Sequence, residues 1–150
     1  MKKLILLASL STLVFTSCID ENGLRWQEQR VLGQWEFTRV KFNERWSIVR
    51  EDRLEEFENL VLNLEPDLTL VVTDQDQGTE SIGTWELSTT TVSTGDGSAS
   101  VNALYLAWVD PVTSEISSVV LNDLSTTRNR MWATDDRDLG LYRYRLQRVD

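Results

Sequence analysis

From residue 33 onward, the chain consists of short runs of alternating apolar and polar residues that are separated by turn residues. Alternation with a period of two is typical of a β-strand with one buried face and one solvated face. Eight such runs follow one another through mainly short connections, which favours an antiparallel meander over β-α-β units. The predicted strands are Gly33–Phe42, Leu60–Leu64, Leu68–Thr73, Ser81–Ser88, Val101–Val109, Ile116–Leu121, Arg128–Ala133 and Leu139–Val149.

The predicted fold class is therefore all-β, an eight-stranded antiparallel meander. We expect the meander to close into a barrel, because closure removes the unpaired edges of the sheet. One strand departs from simple alternation, because Val101–Val109 is apolar on both faces. Such a strand either packs on both sides or exposes an apolar surface.

Two segments between the predicted strands have a different composition. Residues 43–58 carry many charges, and their apolar positions Trp46, Val49, Leu54 and Phe57 share one face of a helix. A short helix after the first strand is predicted, with strand pairing of residues 45–49 as the alternative. Residues 93–100 are rich in Gly and Ser, which indicates a flexible connection.

The N-terminal region has the layout of a targeting segment. Met1-Lys2-Lys3 precedes an apolar stretch from Leu4 to Phe15, and Thr16-Ser17-Cys18 follows. A positive start, an apolar region and small residues before a break predict a signal peptide over residues 1–17. Phe15-Thr16-Ser17-Cys18 resembles a lipobox, which implies that Cys18 receives the lipid. The alternatives are an ordinary secretory signal with a chance cysteine and a short N-terminal helix.

Residues 18–30 are predicted to be a lipidated polar tether, in which Trp26 either begins the packing or starts a short helix. Several acyl chains on one cysteine would give stable attachment to a membrane. Asp20-Glu21 resembles the acidic tether associated with surface export, and a solvated linker explains it equally well. The face of the membrane therefore stays open.

Composition narrows the classes of function. The net charge is -9, and removal of Lys2 and Lys3 makes it -9 - 2 = -11. Such a charge argues against nucleic acid as a partner and against electrostatic binding of anionic lipids by a polybasic segment. The chain has no histidine and one cysteine, so the usual zinc sites and histidine-based acid–base chemistry are unavailable. We expect no enzymatic activity, no cofactor and no metal.

Short motifs resemble those of a known family. Gly33-Gln34-Trp35 resembles the G-x-W signature on the first strand of lipocalins and of lipocalin-like domains in Bacteroidetes lipoproteins. Gly83-Thr84-Trp85 matches a second G-x-W, and Tyr144-Arg145-Leu146-Gln147-Arg148 resembles the final strand of these domains. The resemblance implies a lipocalin-like barrel domain over residues 31–150. It also implies that Arg148 closes the barrel by stacking on Trp35.

Other candidate sites are weaker. Asp74–Glu80 places oxygen ligands at alternate positions, as calcium loops do, but an acidic hairpin loop is the favoured interpretation. Asp135-Asp136-Arg137-Asp138 is interpreted as a solvated turn, which disfavours paired-carboxylate catalysis. Of the six tryptophans, Trp35 and Trp85 are predicted to lie in the core, and the others are undecided.

These features predict a non-catalytic lipoprotein attached to the outer membrane, on its periplasmic or surface side. Its barrel would bind a small apolar or amphipathic ligand. The alternative is an accessory subunit of an envelope protein complex, with a filled barrel. In that case Leu104, Leu106 and Trp108 would form an exposed contact surface.

Overall fold

The computed structural model describes residues 23–149, so the predicted signal peptide and Cys18 lie outside the described residues. A short helix, α1, precedes the sheet, and a single 3-10 turn covers Leu54–Glu56. The elements in chain order are α1 Trp26–Val31, β1 Gly33–Glu44, β2 Glu51–Asp52, β3 Leu60–Leu64, β4 Thr69–Asp74, β5 Thr79–Thr94, β6 Gly97–Val109, β7 Ile116–Thr126, β8 Arg130–Arg137 and β9 Gly140–Arg148.

The strands form a closed antiparallel barrel, as predicted from the alternating pattern. Strands β3 to β8 each pair with the next strand along the chain, and β1 pairs with β3. Closure comes from β1 and β9, which pair from Trp35 opposite Arg148 to Glu44 opposite Gly140. The two-residue strand β2 is an addition, since it pairs with β1 beyond the point where β3 ends.

The segment between β1 and β3 is mostly irregular. The short helix predicted after the first strand is present as the single turn Leu54–Glu56. Residues 45–49 do not pair back as a strand; the pairing is made by Glu51 and Asp52, opposite Phe42 and Lys41. Among the described residues, no helix is long and apolar enough to cross a bilayer.

The prediction of a flexible connection over residues 93–100 is wrong. Strand β5 runs to residue 94 and β6 begins at residue 97, so a two-residue turn joins them. Pairing continues from Thr89 opposite Asn102 to Ser93 opposite Ser98. A run of threonines and Val92 favours the extended backbone on one side of this hairpin, which outweighs the Gly and Ser content of the other side.

The connections divide the barrel into two ends. Helix α1 and the turns at residues 65–68, 95–96 and 127–129 lie at one end, named the closed end. The connections at residues 45–59, 75–78, 110–115 and 138–139 lie at the other, named the open end. This division follows from the alternating direction of the strands in an antiparallel meander.

The middle of the barrel is filled with apolar side chains. The largest fully buried ones on the strands come from all strands except β2: Trp35, Val40, Leu62, Leu64, Leu70, Trp85, Leu104, Leu106, Leu121, Met131 and Leu146. The proposal of Leu104 and Leu106 as an exposed contact surface is therefore wrong. Both point into the barrel, because their positions alternate with Tyr105, which faces outward.

The folded unit begins before the first strand. Leu24 and Val31 are buried in the same core as the barrel interior. Arg25 donates a hydrogen bond to the Leu87 carbonyl at 2.9 Å, which fixes the start of α1 against β5. The helical start considered for Trp26 is thus observed, and from Leu24 onward the segment interpreted as a tether is packed on the closed end.

Candidate functional site

The closed end is held by the residues of the first G-x-W motif. The Arg148 guanidinium lies over the Trp35 ring, 4.4 Å from its centroid, as the sequence predicts. Arg148 also donates to the carbonyls of Leu32 at 2.7 Å and Arg128 at 2.8 Å, and the Trp35 indole donates to the Val31 carbonyl at 2.8 Å. Gly33 has a φ of 105°, and a Cβ there would collide with the Arg148 guanidinium.

The second G-x-W motif supports the same end. Trp85 is buried, and its indole N–H donates to the Glu65 carbonyl in the β3–β4 turn at 2.9 Å. Gly83 is needed for close packing, because a Cβ there would collide with the Ala107 carbonyl oxygen of β6. Both predicted core tryptophans are therefore structural, and each satisfies its polar N–H with a backbone carbonyl.

A cavity of about 340 Å³ lies at the open end, above the filled core. This volume is at the lower limit of small-molecule sites. The connection before β3, the end of β6, the start of β7 and the last two strands surround it. Its lining includes Phe57, Leu60, Trp108, Asp110, Ser117, Val119, Arg137, Tyr142 and Tyr144.

Aromatic rings form one wall of this cavity. Tyr142 and Tyr144 are stacked on β9, with ring centroids 5.8 Å apart. The Phe57 ring packs edge-on against Tyr144, with centroids 6.0 Å apart, and in a tilted arrangement against Phe37, with centroids 4.9 Å apart. Ring faces and edges of this kind suit the apolar body of a ligand. Trp108, undecided from the sequence, is half-buried and lines the cavity from β6.

The Tyr144 hydroxyl is the unusual group of the site. Tyr144 is buried, with 3% of its surface exposed. Its hydroxyl nevertheless has no hydrogen-bond partner among the described residues. Burial raises the pKa of this phenol well above its ordinary value, so it is a neutral donor at physiological pH. Buried polar groups are nearly always satisfied. Tyr144 lines the cavity, but its hydroxyl is closed off from solvent, so a bound molecule reaches it only if a neighbouring side chain of the wall moves.

An ion pair between a buried carboxylate and a half-exposed guanidinium lies at the same end of the barrel. The interpretation of residues 135–138 as a solvated turn is wrong for Asp135, which is buried in β8 and faces the interior. Its carboxylate accepts hydrogen bonds from Arg137 at 2.5 Å and from the Asn122 amide at 3.4 Å. The Arg137 guanidinium is 5.0 Å from the Tyr142 ring centroid and lines the cavity.

The acidic segment Asp74–Glu80 forms a hairpin loop between β4 and β5. One Asp74 carboxylate oxygen accepts the backbone N–H groups of Asp76 and Gln77, each at 3.0 Å, and Asp76 accepts from Asn59 at 2.7 Å. These carboxylates therefore hold the turn. Within residues 23–149, no cluster of three or more acidic or sulfur ligands is arranged to hold a metal ion.

Sequence reasoning found the closed end and missed the open-end site. The alternation of β9 already put Tyr142 and Tyr144 on the inner face, but nothing in the sequence brings them to Phe57 or Arg137. The missed signal was the alternation in β8: Met131 and Ala133 are apolar inner positions, and Asp135 and Arg137 continue the same face. That continuation places the Asp135 carboxylate inward and Arg137 at the rim of the open end.

The fold and the site define a closed antiparallel β-barrel with one capped end and one open end that carries an aromatic, partly polar cavity. Comparison of the chain with protein-family models, curated proteins and solved structures found no match.

Proposed function

We propose that this protein is a lipid-anchored envelope protein that binds a small amphipathic ligand at the open end of a lipocalin-like barrel. The observation that carries the proposal is the open-end cavity with its wall of aromatic rings, behind which the Tyr144 hydroxyl is buried without a partner among the described residues. An acceptor on the ligand would take its hydrogen bond, and the rings of Phe57 and Tyr142 would contact the apolar body. Binding without catalysis suits a site whose charged groups are already engaged by protein partners.

The anchor proposed at Cys18 gives the barrel an orientation. The buried Leu24 is the sixth residue after Cys18, and an extended chain of that length reaches at most about 20 Å. Leu24 and α1 lie at the closed end. The closed end would therefore face the anchoring bilayer, and the cavity would open away from it. The ligand would then come from the aqueous side.

The test of ligand binding uses the amphipathic fluorophore 1-anilinonaphthalene-8-sulfonate as the probe. Ser117 lies on the inner face of β7 and lines the cavity, whereas Ser125 lies on the outer face of the same strand. Ser117→Phe should abolish the fluorescence gain, because the new ring fills the cavity, and Ser125→Phe should leave it unchanged. Equal fluorescence from both variants would contradict the proposed site.

The anchor has a separate test. Mass spectrometry of the native protein should show an N-terminus at Cys18 that carries acyl chains, and Cys18→Ala should release the protein from the membrane fraction. An intact leader or an unmodified thiol in the native protein would refute the anchor. Neither result bears on the cavity, so the two parts of the proposal can fail separately.

A second function, an accessory subunit of an envelope complex, is favoured by one observation. The open end carries exposed apolar side chains on separate connections: Trp46 and Ile48 are 97% and 99% exposed, and Leu139 is 78% exposed. Such residues are uncommon on an isolated protein when they share one end. Loss of a copurifying stoichiometric partner in Trp46→Ser/Ile48→Ser, with fluorophore binding intact, would support this function over ligand binding.

A further inference from the structure

A cluster of basic side chains lies on the outer surface of the barrel, on the opposite side of the sheet from the cavity wall. Outward positions of β1 and β9 and the loop before β2 contribute to a depression of about 370 Å³, with Trp132 of β8 as its aromatic part. The cluster, named the basic face, consists of Arg39, Lys41, Arg50, Arg143 and Arg145. It holds five of the 15 basic residues of a chain whose net charge is -9.

A β-bulge creates this cluster. Phe37 pairs with Leu146, and the next pair is Arg39 with Arg145, so Thr38 is an extra residue in β1. Phe37 and Val40 are both buried, which shows that the inner face changes parity across the bulge. Without the extra residue, Arg39 would point into the core. Bulges commonly re-aim a side chain in this way, and here the bulge places Arg39 opposite another arginine.

The register of β1 and β9 then sets like charges against each other twice. Arg39 is directly opposite Arg145, and Lys41 is directly opposite Arg143. Directly opposed residues have Cβ atoms about 5 Å apart, and like charges at that spacing destabilise a sheet. Among the ion pairs of residues 23–149, the basic face has one carboxylate partner, Asp52 on Lys41. Asp52 also interacts electrostatically with Arg39, whereas no described carboxylate forms an ion pair with Arg143 or Arg145.

We propose that the basic face is a binding site for a small ligand that carries a phosphate group. A dianion between the two opposed pairs would replace repulsion by attraction at four side chains, and guanidinium groups match phosphate oxygens in geometry. The half-buried Trp132 lies opposite Arg145 and offers a ring surface to the remainder of the ligand. The strongly acidic remainder of the chain repels an extended polyanion. The ligand of the basic face is therefore a compact anion.

The test measures binding of inorganic pyrophosphate to the full chain in nonionic detergent by isothermal titration calorimetry at low ionic strength. Arg39→Gln/Arg145→Gln should weaken binding at least about ten-fold, because two charge-assisted contacts are removed. The matched control, Arg128→Gln/Arg130→Gln, removes the same charge from exposed positions outside the depression and should change affinity less than about two-fold. Arg143→Gln is a second, milder variant that should also weaken binding, and circular dichroism checks each fold.

A second arm distinguishes a free phosphate compound from a lipid headgroup. Detergent micelles doped with phosphatidylglycerol are compared with micelles doped with phosphatidylcholine, using the same variants. Pyrophosphate binding lost only in the basic-face variants supports a soluble ligand, and selective binding of phosphatidylglycerol lost in the same variants supports a headgroup. No binding of either anion, or equal loss in the control variant, would overturn the proposal. The result is independent of the cavity, whose lining these substitutions do not touch.

Discussion

The hydroxyl of Tyr144 makes a measurable prediction about stability. A buried polar group without a partner costs about 1–3 kcal/mol, and Tyr144→Phe removes that group while it leaves the ring in place. The ring keeps its contacts with Phe57 and Tyr142, so the loss of packing is limited to one oxygen atom. We therefore expect the variant to raise the free energy of unfolding by about 1–2 kcal/mol at pH 7.

Alkaline conditions should enlarge this difference. Burial raises the pKa of Tyr144 above the ordinary value of about 10, so above that pH the unfolded chain loses a proton that the folded chain retains. The unfolded state is then favoured as the pH rises, by up to about 1.4 kcal/mol per pH unit for one group. Tyr144→Phe abolishes this contribution, so its advantage over the wild type should grow between pH 10 and pH 11.

The assay is urea unfolding followed by tryptophan fluorescence at pH 7, 10 and 11. Tyr105→Phe is the control, because that side chain lies on the outer face and is 45% exposed. Its unfolding free energy should stay within about 0.5 kcal/mol of the wild type at pH 7. A Tyr144→Phe variant that is less stable than the wild type would show that the hydroxyl has a partner in solution. That result would contradict the proposed hydrogen bond from this hydroxyl to a ligand.

Three further predictions concern the frame of the barrel. Gly83→Ala should destabilise by about 3 kcal/mol or more in urea unfolding, because its Cβ meets the backbone of β6, whereas Gly95→Ala, with open space around it, should not. Arg148→Met should cost about 2–3 kcal/mol, since it leaves backbone carbonyls at the closed end without donors, and Arg128→Met should cost little. The backbone N–H groups of Thr113 and Val112 hold the pKa of Asp110 below its ordinary value. The contribution of Asp110 to the stability of the folded protein is therefore present above about pH 4 and is lost as the pH falls further. In Asp110→Asn, the unfolding temperature should accordingly fall less steeply as the pH is lowered below about 4. An unchanged pH dependence would contradict the stabilising role given to Asp110.

The two ends of the barrel differ in how far the sequence reveals them. The closed end depends on Trp35, which the motif marks, and on Arg148, which the alternation of the last strand places on the inner face. A predicted meander that closes must bring the first and last strands together. The contact between these residues could therefore be predicted without coordinates, and it is observed at 4.4 Å.

The open-end cavity depends on residues whose proximity no local pattern indicates. Phe57 comes from an irregular connection, and its position against Tyr144 is set by the return of that connection across the barrel. Acidic runs are usually solvated, which predicts a turn at Asp135; the strand in fact continues two residues past it. The Asp135 carboxylate can be buried because Arg137 and Asn122 donate hydrogen bonds to it.

By itself, the sequence determined the strand periodicity, the meander, the closing pair and the shortage of catalytic side chains, because each of these is a property of neighbouring residues or of composition. Tertiary structure alone decided the register of β1 against β9. That register, shifted by one extra residue at Thr38, is what sets Arg39 opposite Arg145 on the outer face. A one-residue change in pairing reverses the face of every following side chain, and such a change is settled by packing across the whole barrel.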